Sequence, residues 1–186
     1  MGEKHFCFQD QEMKQLLELG QSPLLTDTVE GFILEPSFAS EINVTMTSTL
    51  DPALNRFVPV LISILFWKSK ADYKIHWCQV LKPFKCTSWE DFKNQFPGNT
   101  SDMSDAIRKA FVSELQQLGR EHWKETPPTL DIASVFRFCE VHFQRSRARI
   151  SKNRAVVPLE MLDKFNASRA PILFQACSGL KKLAKV

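Results

Sequence analysis

The sequence has no apolar run near the roughly 20 residues of a membrane span, so no spanning helix is expected. Its N-terminus shows no basic stretch followed by an apolar one, so no secretory signal is visible. The five cysteines, Cys7, Cys78, Cys86, Cys139 and Cys177, include no CxxC pair and no regular framework. An odd count without a leader fits reduced thiols in the cytosol or nucleus. A Gly-rich phosphate loop, a GxSxG elbow and an HExxH helix are all missing, which removes the commonest signatures of nucleotide, ester and zinc-peptidase chemistry. Internal repeats and low-complexity tracts are missing too.

What remains is a chain of 186 residues, enough for one domain, with 44% hydrophobic residues including 15 Phe and 4 Trp. That composition fills a real core and excludes global disorder. The net charge of +3 hides an asymmetry. Residues 1–70 carry 5 basic and 9 acidic side chains, residues 71–136 carry 8 and 9, and residues 137–186 carry 11 and 3. The three parts are therefore −4, −1 and +8, and the basic end suits a polyanion, although a solvated tail has the same composition.

Residues 9–19 read as a short helix stopped by Gly20. LLTDTVEGFIL (24–34) and the β-branched EINVTMTSTL (41–50) read as strands, and FVPVLISILF (57–66) as a strand covered on both faces. Short turns join these three into an antiparallel meander. KADYKIHWCQVLKPF (70–84) has helical spacing, with Tyr73, Trp77, Val80 and Leu81 on one face. SWEDFKNQF (88–96) opens with Ser88 and Asp91, close to a capping box. NTSDMSD is a short fourth strand, 105–118 an amphipathic helix ended by Gly119, 131–150 a further helix, and 159–166 another. Meander, helix, strand, helix is an α/β order and predicts a mixed sheet with helices on its faces.

Asp27 lies in an apolar strand context and Asp102 just before the 105–118 helix. Carboxylates at such places can converge and bind Mg²⁺ for phosphoryl transfer. Each also has a plain alternative: Asp27 as a turn residue, Asp102 or Asp105 as a helix cap. On residue type alone these alternatives outweigh the site. Cys139 and His142, at i and i+3 of the 131–150 helix, share its apolar stripe; without a second Cys/His pair, a core thiol and a hydrogen-bonded His outweigh a metal site. His76 and Trp77 read as packing residues. Arg137, Arg145, Arg147, Arg149, Lys152 and Arg154 are opposed only by Glu140, an array that can neutralise several phosphates, and the scarcity of acidic partners favours this over a merely solvated face.

Five segments, in order, resemble one family. LLTDTVEGFI is similar to the segment bearing the first catalytic Asp of Mutator-like element transposases, in the version common in fungal genomes. TSTLDPALNRFVPVLISIL resembles the strand pair that follows, with its PVL element at Pro59, Val60 and Leu61. ADYKIHWCQVL is similar to the family's Tyr-x-x-His-Phe helix, here Tyr73, His76 and Trp77. SDMSDAIRKAF resembles the segment of the second catalytic Asp, here Asp102, and RFCEVHFQRSRARI the Cys/Trp-x-x-His element, here Cys139 and His142.

Spanning residues 21–160, this resemblance implies a ribonuclease-H-like fold, dependence on Mg²⁺ (or Mn²⁺), DNA as partner and substrate of strand cutting and transfer, a nuclear location, and no membrane; a homo-oligomer is compatible with it. It raises Asp27 and Asp102 above their plain alternatives as catalytic and metal-binding residues. Departures accompany it. Glu160 is the sole Glu among the 44 residues after His142 and stands soon after Pro158, where the family's third acidic residue is expected much later. Only 26 residues precede Asp27, too few for the family's zinc module. The usual Gly-containing turn reads Trp67-Lys68-Ser69-Lys70.

The expected organisation is an N-terminal helical extension (1–20), a transposase core (21–160) and a truncated helical segment (161–186). The function expected is that of an incomplete core, weakly active or inactive, or else a non-catalytic nucleic-acid-binding module or transposon remnant. If the arginine array binds DNA, Arg145→Ala with Arg147→Ala should lower the slope of log affinity against log salt by about 0.9 for each duplex phosphate that is no longer neutralised, read by fluorescence anisotropy.

Overall fold

A computed structural model describes residues 5–20, 22–32, 42–102, 104–142, 144, 145 and 148. Residues up to Cys139 form one compact unit, and Glu140 begins a second. In the first, six strands make one mixed sheet: β1 (Phe6–Phe8), β2 (Leu24–Phe32), β3 (Ile42–Asp51), β4 (Arg56–Leu65), β5 (Asn99–Ser101) and β6 (Phe136–Phe138). The helices are α1 (Gln11–Leu19), α2 (Lys70–Leu81), α3 (Trp89–Gln95), α4 (Asp105–Leu118) and α5 (Thr129–Val135), with a π-helical turn at Gly119–Trp123. The strand order is β1-β4-β3-β2-β5-β6. The expected meander is present: β2 pairs with β3 and β3 with β4, all antiparallel. β5 then adds parallel to β2, and β6 parallel to β5.

Two strands, β1 and β6, fall outside the sequence-based reading. Each has three residues, too few for a period to register, and each exists through its pairing with β4 or β5. β6 corrects the helix expected over 131–150. α5 stops at Val135, and Phe136 turns inward between Trp77 and Phe111, 6.0 and 4.9 Å from their ring centres. Tertiary pairing has overridden a local helical pattern. Arg137 is accordingly an exposed strand residue, and Cys139 follows the strand rather than sharing a helical stripe with His142.

α4 ends at Leu118 with Gly119 as its C-cap, as expected, but Gly119 is not a left-handed stop. It keeps a right-handed helical φ of −59°, and the helix continues into the π turn until Lys124, at φ 60°. Glycine is needed there for closeness: a Cβ would lie 2.6 Å from the Glu125 carbonyl and 2.8 Å from Pro127 Cδ. Gly20 does stop α1, in the left-handed conformation at φ 57°. Ser88 caps α3 as expected, accepting from the Asp91 N–H, while the Asp91 carboxylate turns to the Thr87 N–H. The complete capping box belongs to α2, where Ser69 Oγ accepts from the Asp72 N–H and Asp72 Oδ2 from the Ser69 N–H.

One face of the sheet carries the core. Trp77 is fully buried, donates to the Ile107 carbonyl and stands edge-on to Phe111, joining α2 to α4. The other face is less covered. Ile62 and Ile64 of β4 are half-buried, and Phe6, Phe8, Leu25, Val29 and Phe57 are exposed, so β4 is not enclosed on both sides as its apolar run suggests.

The core face also holds a polar seam. Cys7 Sγ meets Ser63 Oγ at 3.2 Å, Ser63 meets His76 Nδ1 at 2.8 Å, and His76 Nε2 meets Thr47 Oγ1 at 2.8 Å. Thr47 meets Thr26 at 2.8 Å, and Thr26 donates to Asn99 Oδ1 at 2.8 Å. The seam crosses β1, β4, β3, β2 and β5, with α2 reaching down through His76. His76 packs, as its place on the helix suggests, and it does so as a satisfied, neutral imidazole whose pKa burial pushes down to about 3.

That shift makes stability acid-sensitive. Unfolded His76 takes a proton near pH 6.5, whereas the folded side chain stays neutral to about 3, so between those values the unfolded chain binds more protons. This contribution is whole above pH 6.5 and declines by up to about 1.4 kcal/mol per pH unit as pH falls toward 3. Denaturant melts of the chain and of His76→Gln across that window should converge as pH falls, and parallel curves would refute a buried neutral His76.

Candidate active site and basic surface

The site builds from the β2–β5 ladder. Thr26 lies opposite Ser101 on parallel strands, so Asp27 and Asp102 are the next residues along neighbouring chains. Strand alternation turns Thr26 and Thr28 to the core face and Asp27 to the other, where it is exposed between Leu25 and Val29. Asp27 is mid-strand, which removes the turn alternative, and its Oδ1 accepts from the Thr28 N–H at 2.9 Å.

Asp102 is half-buried one residue past β5. The cap of α4 is neither Asp102 nor Asp105 but Ser104, whose Oγ faces the Ile107 N–H at 3.5 Å. Asp102 Oδ1 accepts from the Ser104 N–H at 3.0 Å, which fixes the turn between strand and helix. Asp105 is held by Arg108 at 2.8 Å and Lys109 at 2.7 Å.

Tyr73 is a residue whose part here the sequence conceals. Its spacing places it on the packing face of α2, and it is buried there, but its hydroxyl also hydrogen-bonds the Thr28 side chain beside Asp27. Burial pushes its pKa up to about 12; the Thr28 bond opposes this, and the charges of Asp102, Glu30 and Asp72 add to it. Thr28 in turn meets Thr45 at 3.0 Å. Nothing in the Tyr73 neighbourhood of the sequence announces this, because Thr28 and Asp102 reach it only through the fold.

Among the other candidates, Cys139 is half-buried after β6 and its N–H donates to the Ser101 carbonyl at 2.6 Å, next to Asp102. Arg137 is exposed on β6. In the second unit, residues 140–142, 144, 145 and 148 are helical, His142 is half-buried and Arg145 exposed. Arg147, Arg149, Lys152, Arg154 and Glu160 lie outside the described residues, so the basic array is described only at Arg137 and Arg145. Among the described residues no three His, Cys, Asp or Glu side chains are grouped to hold a metal ion, and no helix is long and apolar enough to cross a membrane.

No protein-family profile matches the chain, and no curated protein matches it.

Tyr73 is the sole tyrosine, so its ionisation can be read by ultraviolet absorbance. The native chain should show no phenolate signal until pH approaches about 12, whereas the chain in guanidinium should titrate near 10. A native midpoint near 10 would contradict a buried hydroxyl among carboxylates.

Proposed function

We propose that this chain is a ribonuclease-H-like transposase core of the Mutator-like kind, built to cut and transfer DNA strands, weakly active or inactive as it stands. The observation that carries the reading is the ladder position of Asp27 and Asp102. These residues, 75 apart in the sequence, are singled out by resemblance, and each directly follows a residue of the last pair in the parallel β2–β5 ladder, Thr26 and Ser101. A three-strand meander followed by alternating helices and strands supports the same reading, as it is the order the resemblance implies. A nuclear location and Mg²⁺ (or Mn²⁺) dependence belong to this proposal.

The donor chemistry fits Mg²⁺ in kind, since carboxylate oxygens are its preferred protein ligands. It falls short in number, because no third candidate ligand is grouped with Asp27 and Asp102 among the described residues. A site of this type needs more anchoring than two carboxylates to fix two metals about 4 Å apart. What the chain itself contributes is positional. The Ser104 N–H holds Asp102, the Thr28 N–H holds Asp27, and Tyr73 ties α2 to Thr28 beneath them.

The two-carboxylate set also favours a second reading, a non-catalytic nucleic-acid-binding module or transposon remnant. Nicking of supercoiled plasmid with Mg²⁺ or Mn²⁺ separates the two. A weakly active transposase core should give metal-dependent nicks that Asp27→Asn or Asp102→Asn reduces at least about a hundredfold, the scale of removing one electrostatic partner of the transition state, and an inactive core or a binding module gives none. Nicks that persist in both variants, or DNA binding without nicks in the parent chain, would remove the catalytic reading.

A further inference from the structure

Three of the four tryptophans are core residues: Trp77, Trp89 and Trp123 are buried. Trp67 is 64% exposed, with Phe66 as its ring neighbour at 6.4 Å. It stands between β4 and α2, in a turn made firm at one end by the Ser69–Asp72 capping box. The residues that follow it are Lys68, 2.7 Å from Glu30, and Lys70 at the first position of α2.

Lys70 is also one wall of a groove of about 250 Å³. Arg108, Lys109, Ser113 and Gln116 of α4 form another wall, and Thr129 of α5 contributes a hydroxyl. The lining thus has three cations and several neutral hydrogen-bonding groups. Asp105 lies beside them and is shared between Arg108 and Lys109. Three residues of chain join Trp67 to Lys70, a span of at most about 11 Å. An exposed indole and a cation-lined groove are therefore close together.

We propose that Trp67 and the Lys70–Arg108–Lys109 groove bind single-stranded DNA: the indole stacks on an unpaired base, and the groove takes flanking phosphates. Aromatic stacking beside a cationic track is the usual physics of single-strand binding, and it needs a base face that a duplex keeps covered. Ser113, Gln116 and Thr129 suit phosphate or sugar oxygens. The location agrees. Arg108 and Lys109 lie in the first turns of the helix that begins three residues after Asp102, and Lys68 pairs with Glu30, three residues along β2 from Asp27. A strand held here lies along the helix that begins just after Asp102. The choice of DNA rests on the proposed function; the binding chemistry does not.

The test is binding of a labelled oligothymidylate to the full chain in EDTA, where metal-dependent cutting cannot contribute. Tryptophan fluorescence should be quenched on binding, and Trp67→Phe should abolish most of that quench while keeping affinity within a few-fold. Trp67→Ala should weaken binding about tenfold or more, the scale of removing one base stack. Lys70→Ala with Lys109→Ala should lower the slope of log affinity against log salt by about 1.4, two phosphates at the single-strand value. Both lysines are exposed, and circular dichroism checks that the variants fold.

Binding that is unchanged in all these variants, absent in the parent chain, or equally Trp67-dependent for intact duplex would overturn the proposal. So would Trp67-dependent capture by phosphatidylserine vesicles without any for the oligonucleotide. Plasmid nicking by the parent, Asp27→Asn and Asp102→Asn chains tests the cutting site separately: nicks that persist in both variants, or are absent from the parent, with Trp67-dependent binding intact, remove the catalytic reading and leave this one.

Discussion

The sheet depends on how His76 is satisfied. An imidazole with no access to water must be neutral and must find both a donor and an acceptor. Ser63 and Thr47, on adjacent strands, supply them, and each hands the remaining hydrogen-bonding capacity outward, to Cys7 on one side and to Thr26 and Asn99 on the other. A single side chain from α2 thus sets the rotation of that helix over the sheet and the register of the strands under it. An apolar residue there would leave Ser63 and Thr47 with buried, unmatched groups costing about 1–3 kcal/mol each. A strand slip of one residue would turn the threonines to the wrong face. The seam therefore specifies one arrangement where a purely apolar layer would tolerate several.

The candidate site inherits that register. Thr26 lies in the seam and sits opposite Ser101, so the bonds that fix β2 against β3 and β5 also set where Asp27 and Asp102, the residues that follow this pair, leave it. Tyr73, one helical turn before His76, repeats the device with Thr28 and Thr45. Two rows of hydroxyls thus lie under one helix.

Much of this is legible in the sequence, and the limits have physical causes. The meander announces itself through β-branched alternation, and α2, α3 and α4 through their apolar stripes and serine caps. β1 and β6 do not, because three residues carry no period and owe their conformation to a partner strand distant in sequence. Gly119 reads as a stop signal because glycine commonly is one; here its missing Cβ makes room for the returning Glu125–Pro127 segment, a fact of packing invisible locally. Asp27 and Asp102 emerge through resemblance, since an Asp in a strand and an Asp before a helix have ordinary explanations of their own. Arg137 is the exposed cation its charge suggests, on a strand where its neighbours suggest a helix. Trp67 is legible only as a departure from a Gly-containing turn; its exposure is a property of the fold.

The lopsided connectivity of β2 also fixes an order of assembly. On one edge it pairs with β3, its neighbour in sequence, and on the other with β5, whose residues lie about seventy positions away. Closing the longer loop costs more entropy and returns only a three-residue ladder, so the local meander forms readily and the distant pairing comes later. A chain still emerging from the ribosome therefore carries Asp27 for some seventy residues before the strand that leads to Asp102 can be paired with its own.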